Sequence, residues 1–179
     1  IAFIGGGNMA SAIIGGLIHQ GQPASQIEVV EPWAEAREAL RKNYGIEAQA
    51  EATPALQRAG IVVWAVKPQT FKDAAAQAKA HTQAALHLSV AAGIRSDSIA
   101  QWLGSERVVR TMPNTPALVG KGMSALYARP AVTAAERQSV EAIMASTGEF
   151  LWVESEKQLD AVTALSGSKP WPARASAWG

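Results

Sequence analysis

Three consecutive glycines, Gly5, Gly6 and Gly7, stand near the start of the chain and constrain its fold more than any other feature. They follow the apolar residues 1–4, a short run that indicates a buried strand. After them, apolar residues recur at helical spacing over residues 8–19. A strand, a glycine turn and an amphipathic helix in this order predict an α/β unit with a very tight connection between strand and helix.

The glycine segment also fits the pattern G-x-G-x-x-G/A, with Gly5, Gly7 and Ala10 in its three small-residue positions. The first glycine permits the turn, the second lets a diphosphate approach the backbone, and the alanine lets the helix pack closely on the strand. Glycines cluster in ordinary turns as well, so the motif alone leaves both interpretations open. Its position between a strand and a helix favours a dinucleotide site. The residues predicted to contact the cofactor there are Gly5, Gly6, Gly7, Asn8, Met9 and Ala10.

An acidic residue, Glu31, closes the second predicted strand at residues 27–31. A carboxylate at this position accepts hydrogen bonds from an adenosine ribose and repels a 2′-phosphate, which favours NAD(H). The alternative is a solvated charge at a strand end. Arg37, two helical turns further on, could accommodate a phosphate, so the choice between NADH and NADPH stays open at this point.

Apolar strand segments alternate with helical segments along most of the chain, and the strand segments are predominantly apolar rather than alternating apolar and polar. This pattern predicts an α/β fold, a Rossmann-like doubly wound and mostly parallel sheet with helices on both faces. We assign residues 1–153 to this dinucleotide-binding domain. The predicted strands are residues 1–4, 27–31, 61–66, 86–90, 107–112, 123–128 and 149–153. The predicted helices include residues 34–43, 69–81, 134–146 and 158–165, and one that ends at Leu103 and is capped by Ser96 or Asp97.

Ligands of such folds bind beyond the carboxyl ends of the strands, and three further segments fall there. The first contains Ala65, Val66, Lys67 and Pro68, in which Lys67 could act as a general acid or simply lie on the surface. The second contains Ala91, Ala92 and Gly93, small residues that admit a cofactor ring or merely pack closely. The third contains Asn114, whose amide could face a ligand or form a rigid turn.

Composition narrows the functional classes. The chain has 179 residues and a net charge of +1, which gives no electrostatic reason to bind nucleic acid or an anionic membrane. It has no cysteine, and its three histidines lack metal-ligand spacing, so we expect no metal site. No apolar run approaches the ~20 residues of a membrane helix. We expect a cytoplasmic protein.

Five sequence blocks, in a fixed order, resemble pyrroline-5-carboxylate reductase. They are the glycine segment at 1–17, Ala-Val-Lys-Pro-Gln at 65–69, Val-Ala-Ala-Gly-Ile at 90–94, Arg-Thr-Met-Pro-Asn-Thr-Pro-Ala at 110–117 and Asp-Ala-Val-Thr-Ala-Leu-Ser-Gly-Ser at 160–168. The resemblance implies an NAD(P)H-dependent oxidoreductase that reduces 1-pyrroline-5-carboxylate to L-proline, the last step of proline biosynthesis. It implies cofactor contacts at residues 5–10, Glu31, residues 65–68 and residues 91–93.

The resemblance also implies that Glu156, four residues before the Asp-Ala-Val-Thr block, contacts the cationic ring nitrogen of the substrate. The alternative is a surface charge at a helix start, which the helix dipole favours. Many members of the family prefer NADPH. Glu31 differs from members with a neutral or basic residue there, and this favours NADH.

The final segment departs from the family. We assign residues 154–168 to the start of a helical C-terminal domain, and residues 169–179 to a divergent tail that we expect to be disordered. Two prolines and two tryptophans in this tail cannot continue an amphipathic helix. We interpret the chain as a truncated or frameshifted form that lacks the family's dimerisation domain and substrate loop. We therefore expect it to bind the cofactor with little turnover. A non-catalytic NAD(P)-binding module and a β-hydroxyacid dehydrogenase are the alternatives.

Overall fold

The computed structural model describes residues 1–113 and 122–166. Within these residues the chain forms seven strands and six α-helices. The strands are β1 (Ala2–Ile4), β2 (Glu28–Val30), β3 (Ile61–Trp64), β4 (Leu86–Ser89), β5 (Val108–Met112), β6 (Gly122–Ala128) and β7 (Gly148–Trp152). The helices are α1 (Asn8–His19), α2 (Ala34–Tyr44), α3 (Pro68–Ala78), α4 (Ser96–Leu103), α5 (Ala134–Met144) and α6 (Glu156–Ser166).

All seven strands form one sheet in the order β2-β1-β3-β4-β5-β6-β7. The first five are mutually parallel, β6 is antiparallel to β5, and β7 runs parallel to β6. Ile4, Trp64, Ser89 and Arg110 lie in one row across the sheet, so the parallel strands end at a common edge. The chain leaves β1 towards β2 on one side and returns to β3 on the other. This reversal of strand order opens a crevice above β1, where ligands of doubly wound folds bind.

Helices cover both faces of the sheet, and alternate residues of each strand face opposite layers. Phe3 and Val63 belong to the core cluster formed with α1 and α5, whereas Ile4 and Trp64 belong to the cluster formed with α3 and α4. A third, smaller cluster joins α6 to β6; its members are Ala125, Leu159 and Val162. The predicted α/β fold is thereby confirmed. The division of the chain into domains stays a prediction, as does disorder of the tail, which lies outside the described residues.

One predicted helix cap is wrong. Neither Ser96 nor Asp97 caps α4, because Ser96 is already its first residue and Arg95 occupies the cap position without a side-chain hydrogen bond. Gly93 has a positive φ of 76°, and α4 begins three residues later, at Ser96, one residue earlier than a cap at Ser96 would allow. The carboxylate of Glu156, on α6, accepts the hydrogen bond of the Ser96 N–H and takes the role of the cap.

Candidate functional site

The turn between β1 and α1 requires glycine at its first position. Gly5 has a φ of +99°, and a Cβ atom built there would lie 2.4 Å from the carbonyl oxygen of Ala65. Its N–H donates to the carbonyl of Val30 at 2.8 Å. Gly5 therefore lets β1, β2 and the end of β3 meet in the crevice.

Gly7, at the other end of the turn, faces open space. A Cβ atom built there would meet nothing within 4 Å, and the residue is exposed. Gly7 is the N-cap of α1, but no side chain caps this helix, and its first turn contains no acidic residue. The first N–H groups of a helix lack intrahelical partners and, with the helix dipole, favour an anion. The start of α1 therefore fits a diphosphate, whose oxygens would accept hydrogen bonds from the backbone.

The remaining residues of the glycine segment are consistent with an open start of α1. Ala10 is fully buried and allows α1 to pack closely on the sheet, as the pattern predicts. Asn8 is exposed and Met9 is partly buried at the start of the helix.

Glu31 lies directly beyond β2 and contacts the glycine turn. Its Oε2 accepts a hydrogen bond from the N–H of Gly6 at 3.4 Å. Burial raises the pKa of Glu31, while this hydrogen bond and the nearby Arg37 act in the opposite direction. The Arg37 guanidinium donates to the carbonyls of Glu31 at 2.9 Å and Pro32 at 2.6 Å. Both residues that the sequence proposed for cofactor selection therefore lie at this strand end.

The segment after β3 lies against the glycine turn. Ala65 donates its N–H to the carbonyl of Ile4 at 2.8 Å, and both Ala65 and Val66 are partly buried. Lys67 and Pro68 are exposed at the start of α3. The Lys67 carbonyl accepts hydrogen bonds from the N–H and the hydroxyl of Thr70, so its backbone helps to form the first turn of that helix.

The segment after β4 reaches the same edge of the sheet, but two strands away from β1. Ala91 is buried and donates its N–H to the hydroxyl of Ser89 at 3.2 Å, whereas Ala92 and Gly93 are exposed. The structure thus brings Glu31 and residues 65–66 to the glycine turn and leaves residues 91–93 further along the edge. Asn114, predicted to contact substrate, lies outside the described residues.

Glu156, the first residue of α6, is buried at the start of α4. Its carboxylate accepts hydrogen bonds from the Ser96 N–H, from the Ser96 hydroxyl at 2.8 Å and from the Arg110 guanidinium at 2.8 Å. Burial by itself would raise the pKa of Glu156, but the hydrogen bonds from Ser96 and Arg110 prevail and lower it. Both carboxylate oxygens are engaged, so the interpretation as an exposed helix-start charge is wrong. A substrate contact of Glu156 stays a prediction.

Arg110 is a residue that the sequence analysis missed. It is 2% exposed within β5 and also lies 3.4 Å from the carboxylate of Asp160, one helical turn after Glu156 on α6. A single charged residue inside an apolar strand was the available signal, because a buried cation needs a carboxylate partner. The sequence did not indicate which carboxylate that would be.

Within residues 1–113 and 122–166, no helix combines the length and apolar character needed to cross a bilayer. In this described part of the chain, the histidine and acidic side chains form no group of three that could hold a metal ion.

Taken together, the crevice at the strand-order reversal, the uncapped start of α1 and the carboxylate of Glu31 define a dinucleotide-binding domain of the Rossmann type. The family model described as "NADP oxidoreductase coenzyme F420-dependent" matches residues 1–93, just over half of the chain. The chain therefore belongs to this family of NADP oxidoreductases.

The most similar relatives considered are pyrroline-5-carboxylate reductases. That of Pseudomonas aeruginosa is 46% identical over 172 residues, which are 95% of this chain and 63% of the relative. That of Haemophilus influenzae is 41% identical over the same shares. The resemblance to the NAD(P)-binding part of this reductase, stated from the sequence blocks, is confirmed. The chain spans about 63% of the length of these relatives.

Solved structures agree with this assignment. A pyrroline-5-carboxylate reductase from Coxiella burnetii superposes with a TM-score of 0.87 at 35% identity, covering 93% of this chain and 63% of that one. The pyrroline carboxylate reductase from Plasmodium falciparum, solved with NADP bound, gives a TM-score of 0.79 at 27% identity, covering 93% of this chain and 61% of that one. The cofactor class predicted from the glycine turn, NAD(P)H, is thereby confirmed.

Proposed function

We propose that this chain supplies the cofactor-binding part of an NAD(P)H-dependent reduction of 1-pyrroline-5-carboxylate to L-proline. The observation that carries the proposal is the open, uncapped start of α1 beside Gly7, combined with 46% identity to a pyrroline-5-carboxylate reductase. The description of the matched family also names coenzyme F420. The sequence blocks at 110–117 and 160–168, however, resemble pyrroline-5-carboxylate reductase and therefore favour the pyrroline substrate.

The residues of the chain would bind and orient rather than carry out bond chemistry. When bound, NAD(P)H supplies the hydride, which adds to the carbon of the C=N bond of the cyclic imine while the ring nitrogen ends protonated. Residues 5–10 would hold the diphosphate through backbone N–H groups, and Glu31 would accept hydrogen bonds from the adenosine ribose. Residues 65–68 and 91–93 would border the nicotinamide half. Orientation of this kind can account for a large part of a rate enhancement.

For Glu156 the geometry supports a positioning role. Through Ser96 its carboxylate attaches the start of α6 to the helix that follows residues 91–93. Displacement of α6 would therefore shift the turn that is proposed to border the cofactor. The substrate, 1-pyrroline-5-carboxylate, belongs to the same proposal.

Cofactor choice is part of the proposal. Glu31 favours NADH, because its carboxylate would repel the 2′-phosphate of NADPH. Arg37 is already bound to two backbone carbonyls, which restricts its guanidinium at this strand end. We expect Glu31→Gln to weaken NADH binding and to reduce the discrimination against NADPH, with Glu35→Gln, an exposed change on α2, as the control.

Fluorescence titration of the purified chain with NADH and NADPH tests the binding step, and proline formation from pyrroline-5-carboxylate tests the reaction. We expect saturable binding with little or no turnover by these 179 residues. Folded protein that binds neither nucleotide would contradict the cofactor role. Rapid turnover by the chain would contradict the expectation of little or no turnover.

A further inference from the structure

Trp33 is an exposed aromatic residue that follows β2 and occupies the N-cap position of α2. Its exposure is 71%, and among the side chains that the structure describes it is the only large hydrophobic one that is exposed. A single exposed apolar residue is not unusual in itself. The position of Trp33 makes it informative, because it lies two residues after Glu31, whose carboxylate contacts the glycine turn.

The backbone that carries this indole is held at several points. The N–H of Glu31 donates to the carbonyl of Gln49 at 2.7 Å, and the Arg37 guanidinium binds the carbonyls of Glu31 and Pro32. The carbonyl of Trp33 accepts the N–H of Arg37 at 3.0 Å as the first turn of α2 begins. An exposed aromatic side chain on a restrained backbone can stack on a ligand with little loss of backbone entropy.

The covalent order of the groups in a dinucleotide indicates which of them would lie beside Trp33. Its adenosine ribose lies between the diphosphate and the adenine. If the diphosphate binds at Gly7 and the ribose at Glu31, the adenine must lie beyond Glu31, and two residues of chain span at most ~7 Å. We propose that Trp33 is the platform on which the adenine ring stacks, and that it determines affinity for adenine-containing nucleotides. This inference rests on the proposed cofactor site.

Two ligands separate base stacking from other contributions. ADP-ribose carries the adenine without the nicotinamide, whereas reduced nicotinamide mononucleotide carries the nicotinamide without the adenine. Because stacking on an aromatic side chain contributes ~1–3 kcal/mol per base, Trp33→Ala should weaken ADP-ribose binding roughly 5- to 150-fold. Its affinity for reduced nicotinamide mononucleotide should stay unchanged. Calorimetric titration of the full chain measures both dissociation constants.

Trp33→Phe is the matched control, since it keeps a ring at the same position. It should retain ADP-ribose affinity within about threefold of the original chain. The urea concentration at the midpoint of unfolding should be unchanged in both variants, because the side chain is exposed.

The outcomes distinguish this inference from the proposed function. Unchanged ADP-ribose affinity in Trp33→Ala would overturn the inference while leaving the cofactor site intact. Equal losses for both ligands would also overturn it, because they would indicate a disturbed site rather than a lost stacking contact. If the unaltered chain binds neither ADP-ribose nor NADH, the proposed function and the inference fail together.

Discussion

The starts of α1 and α4 offer a comparison, since both helices follow a parallel strand at the same edge of the sheet. Both present N–H groups that lack intrahelical partners, and both dipoles favour negative charge. At α1 no side chain provides that charge, and Gly7 leaves the approach open. At α4 the carboxylate of Glu156 fills the same role from within the protein.

The two helix starts therefore differ in the source of negative charge: α4 receives a carboxylate from within the protein, whereas no side chain caps α1. The α4 site is buried and its charge is balanced by Arg110, so it contributes to stability. The α1 site is exposed and unbalanced, so it is available to a phosphate.

Removing the carboxylate of Glu156 should have the largest effect on the free energy of unfolding. Glu156→Ala leaves the Arg110 guanidinium buried without its closest partner and leaves the start of α4 uncapped. A buried charge that loses its partner typically costs ~3–5 kcal/mol, so we expect a loss of that size in urea unfolding. Asp160→Ala is the control: this carboxylate is 47% exposed and lies further from Arg110, so the loss should stay below about 1 kcal/mol. Equal losses in the two variants would contradict the assigned role of Glu156.

Lowering the pH should destabilise the protein through a second buried group, His87. The effect of His87 must be separated from that of Glu156. His87 is 1% exposed, and its Nδ1 accepts a hydrogen bond from the Trp64 indole at 3.1 Å. Burial, with a contribution from Arg107, lowers the pKa of His87 to about 4. Below pH ~6.5 the unfolded chain therefore binds a proton at His87 that the folded chain does not bind. The free energy of unfolding consequently falls between pH 6.5 and 4, by at most about 3 kcal/mol.

His87→Asn should abolish most of this pH dependence, because an amide oxygen can still accept from Trp64 but does not titrate. The measurement is urea unfolding at pH 7.5, 5.5 and 4.5. The stabilisation by Glu156, whose pKa is lowered, is present above pH ~4.5 and is lost only as the pH falls further. A variant that keeps the full slope between pH 6.5 and 4.5 would show that another group is responsible.

A substitution at the open start of α1 should change the affinity for NADH more than the free energy of unfolding. In Gly7→Ala the new methyl group would lie in the free space beside the α1 N-terminus, and we expect NADH affinity to fall about tenfold or more. Alanine is a poorer N-cap than glycine, so stability should decrease by only ~1 kcal/mol. Gly60→Ala is the matched control, since its Cβ also meets nothing within 4 Å but lies before β3, at the opposite edge. If both variants bind NADH equally well, the diphosphate does not approach Gly7.

Much of the fold could be predicted from local pattern. Continuous apolar segments and helical periodicity identified all seven strands of the described sheet, in order, with ends displaced by one or two residues. The glycine turn could be identified because its requirements are local: a positive φ at Gly5 and close approach of neighbouring strands. The position of Glu31 next to that turn followed from the parallel arrangement of β1 and β2.

The surroundings of Glu156 could not be predicted in this way. It lies 60 residues from Ser96 and 46 from Arg110 along the chain, and no periodicity connects positions so far apart. The exposure of Trp33 was equally inaccessible, because tryptophans in a globular chain are more often packed into the core.

The sequence alone determined the order and the approximate bounds of strands, turns and helices, because these depend on backbone freedom and on apolar spacing within a few residues. Only the tertiary structure decided which helix start stays open. That outcome depends on whether packing delivers a distant carboxylate, and packing placed α6 against α4 and left the start of α1 exposed.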